Sequence, residues 1–300
     1  MLRWRFILGI SFAAVLAVLL WLDHHSTEMP GVWLFPLALL VSVAAASEIL
    51  GLSEARGLRP LPWVVYLGNV MVVAASWVPQ VWAKDNALGR FGWPLLVFAM
   101  AVILVFVAEM RRFTVPGGVT ERLSLAVLAL SYVGLLLSFV VQLRMVGGGV
   151  WGIPAIVSLV IVVKFCDIGA YTVGRLIGRH RLAPGISPGK TLEGAVGGLA
   201  FACFGAWLTF FHLVPGMLPS LSQKATSPQG WGWLAFAVVV GVAGMVGDLA
   251  ESLLKRDMGR KDSSSWMPGF GGVLDLVDSV LVAAPVAFLF WELGWVGGAI

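Results

Sequence analysis

Apolar residues run in unbroken stretches along this chain, without the two-residue alternation of a half-buried strand. Runs close to the ~18 to 20 residues that cross a hydrocarbon core recur near 6–22, 32–52, 61–81, 93–108, 123–141, 150–166, 194–214, 232–254 and 273–295. The pattern predicts an all-α, polytopic integral membrane protein with about nine transmembrane helices. The first run follows Arg3 and Arg5, as a signal peptide would. The segment after it, Asp23-His24-His25-Ser26-Thr27-Glu28, offers no small-residue cleavage site, so the run is expected to remain as a helix.

Composition agrees with hydrocarbon as the solvent: 59% of residues are hydrophobic and 12% charged, about half the charged share of an ordinary soluble domain. One integrated membrane domain is expected. Within it, residues 1–150 supply helices for a lipid cavity and scaffold, and 151–300 form a catalytic half with two cytoplasmic motif loops, 167–193 and 255–272. With a cytoplasmic N-terminus, only Lys84, Arg90, Arg144 and Lys224 fall on the outer side, leaving 16 of the 20 Lys and Arg inside. That bias is the positive-inside rule. The net charge of +4 therefore reports sidedness, and the cations lack the interleaved aromatics of a nucleic-acid surface, so no nucleic-acid partner is expected. Trp4, Trp33, Trp63, Trp82, Trp93 and Trp151 lie near span ends, as interfacial anchors would. Cys166 and Cys203 sit inside apolar runs and read as small core residues.

Three acids stand out against this background. Asp248 precedes Lys255 by seven residues, which on a helix places it ~10 Å deeper in the membrane. No basic residue shares its face at i+4. An ionised group at such depth is costly and ordinarily faces a polar cavity with a partner. Asp275 and Asp278 share one helix face at i, i+3, with Ser279 beside them. Neighbouring carboxylates repel unless a cation intervenes, and Mg²⁺, which takes a few carboxylate oxygens together with water and phosphate, suits such a set. The competing reading makes Asp275 a helix cap and pairs Asp278 with Lys255 or Arg256.

Between these acids, the stretch from Lys255 to Gly272 combines Lys255, Arg256, Arg260 and Lys261 with a loop of small residues. Glycine lets backbone amides close on a phosphate, and Lys or Arg neutralises it. A juxtamembrane patch for anionic lipid heads would look similar. Farther upstream, Ser187-Pro188-Gly189-Lys190-Thr191 resembles a fragment of a Walker loop but lacks its G-x-x-x-x-G-K frame. A P-loop is therefore rejected in favour of a membrane-surface hairpin that offers Ser187, Lys190 and Thr191 to a phosphate ahead of a helix N-terminus. Asp167 is either a further ligand or a partner of Arg175.

These residues resemble the phosphatidate cytidylyltransferase (CDP-diacylglycerol synthase) family. Ser252, Lys255, Arg256, Lys261, Asp262, Pro268, Gly271, Gly272, Asp275 and Asp278 fall into its signature without a gap, and Asp167-x-Gly-Ala-Tyr171 and Ser187-Pro188-x-Lys190-Thr191-x-Glu193-Gly194 look like two further family segments. The N-terminal half matches only as a set of spans, with Glu48 a weak candidate for a family acid. The resemblance implies transfer of CMP from CTP to phosphatidic acid among membrane lipids, with Mg²⁺, and with K⁺ as a compatible second cation. Asp248 and Asp275 would hold metal with Asp278 in support; Lys255, Arg256, Lys261 and Asp262 would serve the phosphates with Gly271 and Gly272; and Lys190, Ser187 and Thr191 would clamp nucleotide or lipid head. A homodimer and a bacterial inner-membrane site facing the cytoplasm are further expectations. Two positions depart from the pattern: Phe270 stands where the family has His, and Leu276 where it has Arg. The alternatives are therefore another CTP-dependent lipid transferase or kinase, or a noncatalytic lipid-binding homologue.

Overall fold

The computed structural model describes residues 2–25 (backbone alone through residue 8), 29–81, 88–218, 230–264, 266–267 and 271–297. The described residues are helical with one small hairpin, which confirms an all-α membrane architecture. The principal helices are α1 (Leu2–His25), α2 (Leu34–Glu54), α3 (Pro62–Ala75), α4 (Gly89–Arg112), α5 (Val119–Leu143), α6 (Gly152–Ile177), α7 (Leu192–Met217), α8 (Gly232–Asp257) and α9 (Leu274–Glu292). Among the described residues, α2 and α4 through α9 are long and apolar enough to cross a membrane, seven in all. The apolar stretches Gly9–His25 and Pro62–Ala75 are shorter. At about 1.5 Å per residue, α3 extends ~21 Å, less than the ~30 Å hydrocarbon core.

The chain divides into two compact units. One comprises residues 1–142 with 255–276, and the other 143–254 with 277–300. The segment 255–276 thus packs with the N-terminal helices although it follows them by more than a hundred residues.

In the first unit, Asp23 at the end of α1 accepts hydrogen bonds from the Gly31 and Trp33 amides at 3.0 and 3.1 Å, tying α1 to the start of α2. Pro62 opens α3, where its missing N–H removes no helical bond. Buried Val64, Val65, Val72 and Val73 make one face of α3. Gly68 and Gly134 let α3 and α5 approach: a Cβ at Gly68 would meet Leu130, and one at Gly134 would meet Asn69. At this contact α5 widens into a π-helical turn, Leu130–Leu135. Glu109, buried near the end of α4, pairs with Arg122 of α5 at 2.8 Å.

In the second unit, α6 and α7 meet through small residues. Gly169 admits Phe201, Gly197 admits Val173, and Gly198 approaches the Cys166 carbonyl, the close backbone packing that hydrocarbon favours. Phe210, Phe236 and Phe290 stack edge to face in its core. Trp151, expected at the interface, is buried there, 5.9 Å from the Trp291 ring, because the Gly147–Gly148 turn folds the start of α6 inward. Trp33 and Trp63 are exposed, as anchors would be, while Trp82 lies outside the described residues. Each unit exposes large apolar side chains suited to lipid, such as Leu40 and Ile103 in the first and Phe204 and Val246 in the second.

The motif segment expected as a loop from 167 is helical as far as Ile177; α6 carries Gly169 and Gly174 without a break and ends at Gly178. The hairpin follows: β1 (Arg181–Ala183) pairs antiparallel with β2 (Ser187–Thr191). Its base is closed by Glu193, in the first turn of α7, whose carboxylate accepts from the Arg179 and His180 amides at 3.0 and 3.2 Å and meets His180 Nδ1 at 2.6 Å.

Candidate active site

The loop after α8 begins with Gly259 at φ +67, a left-handed turn that glycine enters without strain and that lets the Arg260 amide return to the Lys255 carbonyl at 2.8 Å. Met267 and Gly271 then form an antiparallel bridge, and the chain enters α9 through Gly272 and Val273. Pro268 and Phe270 lie outside the described residues.

Two carboxylates organise this loop from within the first unit. Asp275 holds Lys255 on one oxygen. Its other oxygen accepts from the Ser263 amide (3.1 Å), the Ser263 hydroxyl (2.5 Å) and the Gly272 amide (2.9 Å). Glu48 of α2, 4% exposed, accepts from Trp266 Nε1 (3.0 Å) and the Val273 amide (2.7 Å) on Oε1, and from Ser263 Oγ (2.7 Å) and the Leu274 amide (2.8 Å) on Oε2. The Ser263 hydroxyl, with one proton, thus sits between two acids.

The paired glycines follow from this arrangement. A Cβ on Gly271 would overlap the Asp275 carboxylate, and one on Gly272 would overlap the Glu48 carboxylate and Ser263 Oγ. Of the two amides that sequence reasoning offers to phosphate, that of Gly272 is turned to the Asp275 carboxylate and that of Gly271 donates to the Met267 carbonyl at 3.1 Å. Asp275 sits in the first turn of α9 and accepts from the Gly272 amide just ahead of it, while the Val273 and Leu274 amides at the helix start go to Glu48, so the expected capping role falls to Glu48. Asp275 is also the partner of Lys255, which the competing reading gives to Asp278.

A second group of charges lies in the other unit. Lys190, at the end of β2, reaches Asp248 of α8 at 2.7 Å. The cation that Asp248 lacked along its own helix is therefore supplied by the hairpin. Lys164 pairs with Asp167 at 3.4 Å along α6, whereas Arg175 donates to the Tyr171 hydroxyl at 2.8 Å. Asp278, 5% exposed, accepts from the Ser279 amide at 2.5 Å and feels the charges of Asp248 and Asp167. Gly247 brings α8 against α9 at this level: a Cβ there would stand 2.6 Å from the Asp278 carbonyl oxygen. Thr191 caps α7, accepting from the Gly194 amide at 3.1 Å, and Ser187 faces Ala183 in the hairpin. Lys261 and Asp262 are exposed on their loop, Arg256 is exposed with an N–H directed at the Arg260 carbonyl, and Leu276 is half-buried.

Among the described residues, no three His, Cys, Asp or Glu side chains make a metal cage on their own. Mg²⁺ ordinarily takes one or two carboxylates and completes its shell with water and substrate phosphate, so Asp248 and Asp278 suit it in donor type. Asp275 suits it less, because both its oxygens already serve donors.

Glu48 is the residue that sequence reasoning undervalued. The signal was available: it is a carboxylate within an apolar run, the same mark that singled out Asp248.

A family model described as the cytidylyltransferase family matches residues 3–293. The phosphatidate cytidylyltransferase of Pseudomonas aeruginosa is 36% identical over 229 residues, 75% of this chain and 76% of the relative. That of Staphylococcus epidermidis is 28% identical over 280 residues, 92% and 95% of the two chains. That of Brucella suis biovar 1 is 41% identical over 140 residues, 47% of each chain, so the match spans about half the length of this relative.

Proposed function

We propose, since the chain belongs to the cytidylyltransferase family, that it transfers CMP from CTP to phosphatidic acid at the cytoplasmic face of a bacterial inner membrane, releasing CDP-diacylglycerol and pyrophosphate. The observation that carries this reading is the Lys190–Asp248 pair, in which a cation of the hairpin meets an acid of a membrane helix at the level where Gly247 packs that helix against Asp278 of α9. Charged groups at such a position are costly and belong to sites that handle charge.

A phosphate oxygen of phosphatidic acid forms a bond to the α-phosphorus of CTP as the bond from that phosphorus to the bridging oxygen breaks, and pyrophosphate leaves with that oxygen's electron pair. Such transfers depend on alignment and charge neutralisation, with no covalent link to the protein required. Lys190 neutralises one phosphate, with Ser187 beside it on β2. Lys255 and Arg256, in the last turn of α8, and Lys261, on the loop that Asp275 and Glu48 hold, serve the others. Asp248 and Asp278 would hold Mg²⁺, which when bound offsets the negative charge passing to the leaving group; Asp167 remains for a second cation such as K⁺.

The test is conversion of phosphatidic acid and labelled CTP by the purified protein in detergent with Mg²⁺, beside Asp248→Asn and Asp278→Asn. Losses of about 10²- to 10³-fold in both, the scale of removing one charge-stabilising group, are expected. Activity with a polyprenol in place of phosphatidic acid would change the lipid, and no product from folded wild type with any lipid would leave a noncatalytic homologue.

A further inference from the structure

We propose that Glu48 is a positioning residue for the reaction. From the N-terminal helix α2, its carboxylate fixes the entry to α9 and, through Ser263, sets the Lys255–Asp275 pair. The inference rests on the cytidylyltransferase reading for its kinetic consequence alone; its geometry stands without it.

Four donors converge on this one side chain: two backbone amides at the start of α9, an indole N–H and a hydroxyl. All come from residues 263–274, between 215 and 226 positions away in sequence. An uncapped helix start leaves its first amides without partners, and a carboxylate there satisfies them while opposing the positive end of the helix dipole. An apolar residue at 48 would have left Val273 and Leu274 to find other acceptors. The contact is also selective. Gly272 has no side chain where Glu48 approaches, and the same Ser263 Oγ that meets Glu48 lies 2.5 Å from Asp275. The chain of contacts therefore runs Glu48, Ser263, Asp275, Lys255, ending on an ammonium assigned to substrate phosphate. Any tilt of Glu48 is passed to that ammonium through two hydrogen-bonded groups, which is how a residue that touches no substrate governs one that does.

The experiment uses the full-length protein with Glu48→Gln, Ser263→Ala and the double variant. Glutamine keeps the length but puts an amide N–H where Glu48 now presents an acceptor. Hydrogen exchange of the 271–276 segment reads the geometry, and kcat and KM for CTP read its effect. Faster exchange confined to that segment is expected, together with a fall in kcat of about 10- to 100-fold, the scale for residues that orient a working group, with KM changed less than about threefold. The double variant is expected to cost no more than the costlier single one, because both cut the same chain of contacts. Parental exchange in Glu48→Gln, parental kcat despite faster exchange, or losses that multiply would each overturn the proposal. Should Glu48→Gln fail to fold, Trp266→Phe removes one donor from an exposed ring and is expected to lower kcat a few-fold at constant KM; a parental kcat there would overturn it equally. If wild type transfers no CMP, the functional reading falls and the exchange data decide the Glu48 contact on their own.

Discussion

Replacing Gly272 with alanine is the smallest change that tests how the α9 entry is built. Gly272 does not have a left-handed backbone, so the methyl group brings no conformational strain of its own. The cost comes from contact: the new Cβ would overlap the Glu48 carboxylate and Ser263 Oγ. To make room, Glu48 must withdraw from the Val273 and Leu274 amides, which it holds at 2.7 and 2.8 Å. Hydrogen bonds to a charged group contribute about 1.5–3 kcal/mol each, so losing both costs ~3–6 kcal/mol, a large part of the 5–15 kcal/mol typical of a whole domain. Gly51→Ala is the control. It lies one turn after Glu48 on α2 with nothing within 4 Å of its Cβ, and alanine there should favour the helix by up to about 1 kcal/mol. Thermal unfolding in detergent, followed by far-UV circular dichroism, compares the two. Gly272→Ala is expected to melt several degrees lower and Gly51→Ala at or above the parent. A Gly272→Ala protein that melts with the parent and keeps its exchange protection at 271–276 would refute this account of the paired glycines.

Lys190→Met is expected to raise the KM for CTP while tightening Mg²⁺ binding in the absence of nucleotide by about two- to fivefold, the ~0.4–1 kcal/mol of a part-exposed ion pair that no longer competes for Asp248; titration calorimetry separates the two effects. Gly197→Leu forces a side chain into Val173, and overpacking of this kind costs about 1–3 kcal/mol or more, visible as a lowered melting temperature. Arg122→Met leaves Glu109 buried without its 2.8 Å partner and is expected to destabilise by about 3–5 kcal/mol, whereas Arg112, at 3.9 Å and more exposed, should be replaceable at little cost; parallel melts of the two variants check the contrast.

The helices were legible in the sequence because hydrocarbon demands long apolar runs, and those runs are visible without any partner. The hairpin at 181–191 was legible too, since Pro184, Gly185, Pro188 and Gly189 interrupt an otherwise helical chain. The extent of α6 was not: its polar residues from Asp167 onward suggested a loop, but charge at the polar end of a membrane helix does not break it. Pairings were legible only where the partners share a helix. Lys164 stands three residues before Asp167, and that spacing could have been preferred to Arg175. Lys190 and Asp248, 58 positions apart, meet through the fold alone, and Glu48 finds its donors more than two hundred residues away. A search for partners one helical turn distant cannot reach either.

The pairing of Glu48 with residues 263–274 has a temporal side. At about 5–20 residues per second, a ribosome needs roughly 10–45 s after making Glu48 to deliver the donors it binds. During that interval a carboxylate sits on a helix already apolar enough to enter the bilayer, with the groups that will surround it not yet synthesised. The first compact unit, begun by the earliest helices, closes only once residues 255–276 have been made and return to it. A nascent chain stopped before residue 255 would carry α2 with an acid that lacks all four of the donors residues 263–274 supply.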